Sequence, residues 1–351
     1  MSLKDEIASM LKASKNELAT LVGKDGIVGE EMEFIDTGSY ILNAQLSASI
    51  FGGLPNNLIT VLSGNESVGK TYMALQMAKN FQDQYDTGVI GYYETEHALM
   101  TKMLVDRGID TNRWMHHPVA TVEAFRTQAV KELENYKKTS EMKLMMVLDS
   151  LGNLSTNKEM GDILSGDDKR DMTRAALIKG AFRVLAMELG NLGVPLIVTN
   201  HVYETMALYS SKQQSGGSGV RYGADTILEI SKAQNKDKAK NVIGSILTFK
   251  AAKSRLTREK SVVKSRLFYD TGLDRYYGLI DLGAIGGLFK KVGNKWEWPD
   301  GTSETENKIY DNPAKFFTSD ILLSLDEIAK DVFSYQSSKE LLVVEEDEEI
   351  S

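Results

Sequence analysis

Cysteine is absent from the 351-residue chain. That excludes a disulfide framework, a cysteine-ligated zinc or iron–sulfur site and a thiol nucleophile. No apolar run approaches the roughly 18 residues a membrane span needs, and the opening MSLKDEIASM lacks the apolar h-region of a secretory signal. No membrane partner and a cytoplasmic location are therefore expected. Histidine is sparse as well. Of the four, His116 and His117 are adjacent and followed by Pro118, so their side chains diverge in an extended segment, which argues against a histidine-based metal site. The fifteen methionines, among them Met142, Met145 and Met146, read as core filler.

The net charge of −8 argues against a chain coated in basic residues, yet the charges are unevenly placed. From Gln336 onward six acids face the single base Lys339, an acidic and disordered tail by composition. Between Ser231 and Asp270 eleven Lys and Arg oppose three acids, a local net of +8. That stretch is a candidate polyanion-binding surface, with a solvated strand-and-loop face as the plainer reading.

An N-terminal helix is expected, capped by Ser2, with Ile7, Met10, Leu11, Leu18, Leu21 and Val22 on one face and ended by Gly23, Gly26 and Gly29. Such a stripe must bury itself on its own domain or on a neighbouring subunit. From Phe34 to Asp281, β-rich runs alternate with helical stretches. They lie at Leu58–Leu62, Gly88–Tyr93, Leu144–Leu148, Pro195–Thr199, Thr226–Ser231, Ile243–Lys250 and Val262–Tyr269. The pattern predicts an α/β fold with a mostly parallel central sheet and antiparallel additions at one edge. Ser215–Gly219 marks a long mobile loop, and a last helix is expected over Ser319–Phe333.

Gly64, Asn65, Glu66, Ser67, Val68, Gly69, Lys70 and Thr71 match G-x-x-x-x-G-K-[ST] between an apolar strand and a helix, the context a phosphate-binding loop requires. Backbone N–H groups curl around phosphate oxygens at a helix N-terminus. Lys70 reaches the β- and γ-phosphates, and the Thr71 hydroxyl can ligate Mg²⁺. ATP and Mg²⁺ are the expected cofactors. Asp149, after five apolar residues, supplies the second oxygen for the metal. A base for water is offered by Glu94 or Glu96, and the chemistry leaves both open. Asn200 and His201 end a further strand near the phosphates.

Ile35–Ser39 with Leu42-Asn43, Gly52–Pro55 and Gly64–Thr71, taken together, resemble the opening of the RecA-family recombinase core. Asp149–Leu154, Asn200–Thr205, Asp171–Arg174 and Lys253–Arg255 resemble its phage branch, the UvsX-type recombinases. The resemblance spans about Ser2 to Trp298 and implies a RecA-like P-loop ATPase core with an N-terminal oligomerisation helix and a small C-terminal region. By motif position it makes Glu96 the catalytic base and His201 the sensor of the γ-phosphate. Lys253 and Arg255 become the basic pair that reaches a neighbour's phosphates. At the adenine contacts this chain carries Met100 and Met103, where the bacterial family has an acid and a tyrosine; a thioether can still pack on a purine face.

Two segments resemble the family's DNA loops, about Ser155–Asp171 and Val202–Gly219, the latter with Tyr209, Lys212, Gly216 and Gly217. Arg170, Arg174, Lys179 and Arg183 could meet the backbone of single-stranded DNA. Lys232 and Lys250 resemble positions that hold the incoming duplex.

The expected organisation is 1–33 for subunit docking, 34–283 as the ATPase core, 284–335 as the C-terminal region and 336–351 as the tail. The expected function is an ATP-dependent strand-exchange protein that forms helical filaments on single-stranded DNA, pairs it with homologous duplex and hydrolyses ATP between subunits. Single-strand-binding and mediator proteins are possible helpers. A phage origin, implied by the resemblance alone, would place it in the host cytoplasm. The alternatives are a ring-shaped helicase on the same core and a DNA-independent ATP switch.

Overall fold

The computed structural model describes residues 3–16, 19–22, 32–138, 141–166, 173–204, 212–214 and 218–335. Within them the strands are β1 (Phe34–Ile35), β2 (Leu54–Pro55), β3 (Ile59–Gly64), β4 (Gly88–Glu94), β5 (Trp114–Pro118), β6 (Lys143–Asp149), β7 (Leu196–Glu204) and β8 (Lys212–Gln214). They continue with β9 (Thr226–Lys236), β10 (Val242–Lys253), β11 (Val262–Phe268), β12 (Gly272–Leu273), β13 (Lys290–Val292), β14 (Lys295–Glu297) and β15 (Ser303–Thr305). One large sheet has the order β12-β11-β10-β9-β3-β7-β6-β4-β5, with β8 attached to β7. From β9 to β5 every pairing is parallel, and β9 to β12 are antiparallel.

Strand pleating sorts side chains onto two faces. Met145 and Val147 of β6 and Leu62 of β3 join a cluster with Met73, Leu75 and Met77 of the helix Lys70–Gln84. Leu144, Met146 and Leu148 join the opposite cluster, with the helices Val122–Tyr136 and Arg174–Leu192. Parallel strands covered on both faces read as unbroken apolar runs, which is why β3 and β6 stand out in the sequence. The crevice at the carboxyl ends of β3, β4, β6 and β7 is where such sheets bind ligands.

The N-terminal helix is shorter than its apolar stripe predicts. It ends at Ala13, where the Ser14 hydroxyl donates to the Leu11 carbonyl (2.6 Å) and Lys15 turns left-handed at φ 52°. Local side-chain bonding thus stops the helix before Leu21 and Val22 can join its stripe, and none of its residues is buried. Ser155–Asp171, expected as a loop, contains a helix at Asn157–Ser165, capped by the Thr156 hydroxyl accepting from Glu159 N (3.0 Å). In the second expected loop β8 pairs back on β7 as a hairpin. Arg170, Tyr209, Gly216, Gly217 and the acidic tail lie outside the described residues.

Beyond Gly286, a three-stranded sheet of β13–β15 and the helix Ser319–Phe333 close over the first face. Phe289 stacks on Trp298 (4.3 Å between centroids), and both join the cluster of the helix Lys70–Gln84. Asp326 fastens this region: its Oδ1 accepts from Ile50 N (2.9 Å) and Ser49 Oγ (2.6 Å). Asp326→Ala leaves a buried N–H without its acceptor, which costs about 1–3 kcal/mol. A urea midpoint lowered accordingly is the expected result, with Asp326→Asn, which keeps an acceptor, losing less.

Candidate functional site

Gly64 ends β3 so close to β9 that an added Cβ would lie 2.5 Å from the Ile230 carbonyl. Only glycine fits there. Ser67 (φ 57°) and Gly69 (φ 105°) then wind the loop left-handed into the helix Lys70–Gln84. The Lys70 ammonium donates to the Gly64 (2.9 Å) and Asn65 (2.7 Å) carbonyls of its own loop. Burial holds its pKa below the ordinary lysine value, against the opposing pull of Asp149, Glu96 and Glu66.

Asp149, at the end of β6, is an acceptor for three hydroxyls. Thr71 donates to Oδ2 (2.7 Å), Tyr92 to the same oxygen (2.6 Å), and Thr199 to Oδ1. Thr71 and Asp149 thus place two hard oxygens side by side next to the phosphate loop, the donor chemistry that suits Mg²⁺. The Asp149–Ser150 peptide is cis.

Glu96 stands at the mouth of the cleft, 39% exposed. Its Oε1 accepts from Ser150 Oγ (2.9 Å) and Asn153 Nδ2 (2.8 Å). His201 lies between the two charges, with Nδ1 3.4 Å from Lys70 Nζ and Nε2 3.4 Å from Glu96 Oε1. Glu94 differs: it is 6% exposed, with Oε1 accepting the Leu99 N–H (2.7 Å) and that of Ala98, and Oε2 meeting His116 Nε2 (2.6 Å). Burial raises its pKa, but these three donors outweigh it and hold the carboxyl below the usual range. Lys70, Thr71, Glu96, Asp149 and His201 line one cleft of about 640 Å³, together with Glu66, Ser67, Gly69, Tyr72 and Asn153. Met103 lies in the short helix Thr101–Val105, where its carbonyl accepts from Arg107 Nη1 (3.0 Å).

Lys253 and Arg255 are not in this cleft. Lys253 pairs across β9 with Ile227, which is level with Val61 in the middle of β3. Its ammonium donates to the Arg221 (2.9 Å) and Ala224 (2.6 Å) carbonyls. Arg255 Nε meets Asp225 Oδ1 (2.9 Å), while Asp225 Oδ2 accepts from Ile59 N, the first residue of β3 (2.8 Å). Burial raises the Asp225 pKa, against the pull of that hydrogen bond and of Arg255. A six-residue strand spans roughly 15–20 Å, so the two head groups, gathered at Ala224 and Asp225, sit toward the Ile59 end of β3, away from Gly64.

The basic residues divide. Lys179 rests over the Tyr222 ring (4.6 Å) and Arg183 is exposed, both on the helix Arg174–Leu192. Arg174 is turned inward, donating to the Leu151 (3.2 Å) and Gly152 (2.6 Å) carbonyls. Lys250, level with Glu229 on β9, falls on the sheet face of that helix. Lys232, level with buried Leu247, falls on the opposite face, and its ammonium donates to the Ser67 carbonyl of the phosphate loop (2.5 Å). Lys212 lies in β8. Tyr92 and Thr199, which hold Asp149, and Asp225 belong to no motif that marks them in the chain. Ser150 and Asn153, which hold Glu96, were visible only as part of the motif Asp149–Leu154.

Residues 5–274 match the family described as RecA N-terminal domain. The chain is 31% identical to the "Recombination and repair protein" of Enterobacteria phage T4 over 294 residues, covering 84% of this chain and 74% of that protein. It is also 26% identical to "Protein RecA" of an Arthrobacter species, covering 86% of this chain and 87% of the relative. A "Protein RecA" of Sinorhizobium medicae shares 26% identity, over 85% of this chain and 81% of its own length.

Proposed function

Because this chain belongs to the RecA family, we propose that it is an ATP-dependent DNA recombinase, hydrolysing ATP at subunit interfaces within a filament on single-stranded DNA and exchanging strands with homologous duplex. The observation that carries the reading is the split site. One cleft holds Lys70, Thr71, Asp149, Glu96 and His201, while Lys253 and Arg255 lie at the other end of β3 from the phosphate loop of their own chain.

The chemistry follows from these positions. Lys70 exchanges its loop carbonyls for β- and γ-phosphate oxygens. Thr71 and Asp149 would hold Mg²⁺, which would neutralise charge on the phosphates. Glu96 accepts a proton from water as the water oxygen bonds to the γ-phosphorus and the bond to the bridging oxygen breaks, releasing ADP. His201, at 3.4 Å from both Lys70 and Glu96, links the phosphate end to β7 and the second DNA segment. Lys253 and Arg255 add cationic charge to a neighbour's transferring phosphoryl group.

The unburied helix Leu3–Ala13 is assigned to docking on an adjacent subunit, 34–283 to the ATPase core, 284–335 to the C-terminal region and 336–351 to the tail. Among the described residues no helix is long and apolar enough to cross a membrane. On the DNA side, Ile163 and Leu164, 64% and 87% exposed on the helix Asn157–Ser165, are apolar groups available to bases. Arg183, Lys179 and Lys250 share one sheet face as phosphate contacts.

The test is ATP hydrolysis with and without single-stranded DNA, with negative-stain images from the same tubes. Strong stimulation with helical filaments is expected. Stimulation with closed rings would make it a helicase, and indifference to DNA would make it a DNA-independent switch.

A further inference from the structure

We infer that His116 is a positioning residue for hydrolysis, acting through Glu94 on the turn that carries Glu96. The inference rests on Glu96 being the base.

The turn after β4 is strained. His97, directly after Glu96, has φ 55°, a left-handed conformation uncommon for a residue with a Cβ, though less so for histidine than for most, and one that its surroundings help to hold. Two anchors do so. On the β6 side, Thr95 N donates to the Asp149 carbonyl (2.9 Å), and the Thr95 hydroxyl accepts from Ser150 N (2.9 Å). On the other side, Glu94 Oε1 accepts the N–H groups of Ala98 and Leu99, the two residues that follow the strained one. Glu96 is therefore bracketed by two anchors, and Glu94 supplies the one that follows it.

Glu94 is in turn oriented by His116. The carboxylate is ionised, with its pKa held down despite burial, so it only accepts, and the 2.6 Å contact requires the proton on His116 Nε2. His116 projects from β5, whose pairing with β4 sets Tyr92 opposite His116. Without that donor one oxygen of a buried carboxylate loses its partner, and the carboxylate can rotate away from Ala98 and Leu99. The strained turn then relaxes and Glu96 leaves its place beside the cleft. His116 is absent from the lining of that cleft, so nucleotide binding is untouched.

The experiment is DNA-stimulated ATPase kinetics with thermal unfolding on His116→Ala, His116→Gln and Glu96→Ala. Small displacements of a reacting group cost up to about 10²-fold, so His116→Ala is expected to lower kcat about tenfold, with KM for ATP nearly unchanged and the melting temperature down by only a few degrees, as for one lost partner of a buried group. His116→Gln, which keeps an N–H donor, should recover most of the kcat. A normal kcat in His116→Ala beside an inactive Glu96→Ala overturns this inference alone. A kcat lost in step with the melting temperature and not rescued by glutamine makes His116 merely structural and overturns it too. Hydrolysis surviving in Glu96→Ala removes the base assignment and this inference with it.

Discussion

Glu96→Ala is expected to lower kcat for ATP hydrolysis by about 10²–10⁴-fold, the span of a positioned general base, while nucleotide binding and filament assembly persist. Two acids end the same strand region, and their environments separate them. Glu94 is buried with both oxygens committed to Ala98, Leu99 and His116, so it cannot meet a water without dismantling the turn. Glu96 faces the cleft, aimed by Ser150 and Asn153. Removing its carboxylate takes away the proton acceptor but leaves Lys70, Thr71 and Asp149 in place, so the variant should trap the ATP-bound filament. Glu94→Ala should fall less, through misplacement. The reverse ranking, an active Glu96→Ala and a dead Glu94→Ala, would move the base to Glu94. Bound-nucleotide measurements on the same samples separate lost chemistry from lost binding.

Arg255→Ala is expected to cost about 10³-fold in kcat, the lower end for a cation supplied in trans to a phosphoryl transfer, and to do so only in assembled protein. Its side chain is 60% exposed, and its ion pair with Asp225 lies at the far end of β3 from the phosphate loop. Asp225 is buried but keeps the Ile59 N–H as a donor when Arg255 is lost, so a melting temperature measured beside kcat separates any loss of stability from the loss of the cation. Lys253→Ala is the less clean probe, because its ammonium also secures the carbonyls of Arg221 and Ala224. Rates measured across protein concentration, with sedimentation to count assembled subunits, check the expectation. An equal loss in monomer would place Arg255 in its own site.

What could be read from the chain follows the range of the interactions. The phosphate loop and the apolar strand before Asp149 are local patterns, because parallel strands buried on both faces leave unbroken apolar runs. Strand β5 was not legible: Trp114–Pro118 alternates poorly and exists through its parallel pairing with β4. With it went the contact between His116 and Glu94, which no spacing of 22 residues announces. Lys232 shows the same limit. Charge counting grouped it with Lys250, but the pleat of β9 and β10 sends the two to opposite faces. The N-terminal helix failed in the other direction, since a long apolar stripe was legible while the stop at Ser14 depends on one side-chain hydrogen bond.

The lysine of the phosphate loop folds back on its own loop, its ammonium donating to the carbonyls of Gly64 and Asn65. Those two carbonyls act as an internal competitor. A ligand must offer oxygens that Lys70 prefers over both, which a β- and γ-phosphate do and a nucleoside or a monophosphate, too short to reach, does not. On the proposed ATPase reading the loop then sets a threshold on ligand length, and binding measured along the series adenosine, AMP, ADP and ATP should rise at ADP, the first member with a phosphate for Lys70 to reach.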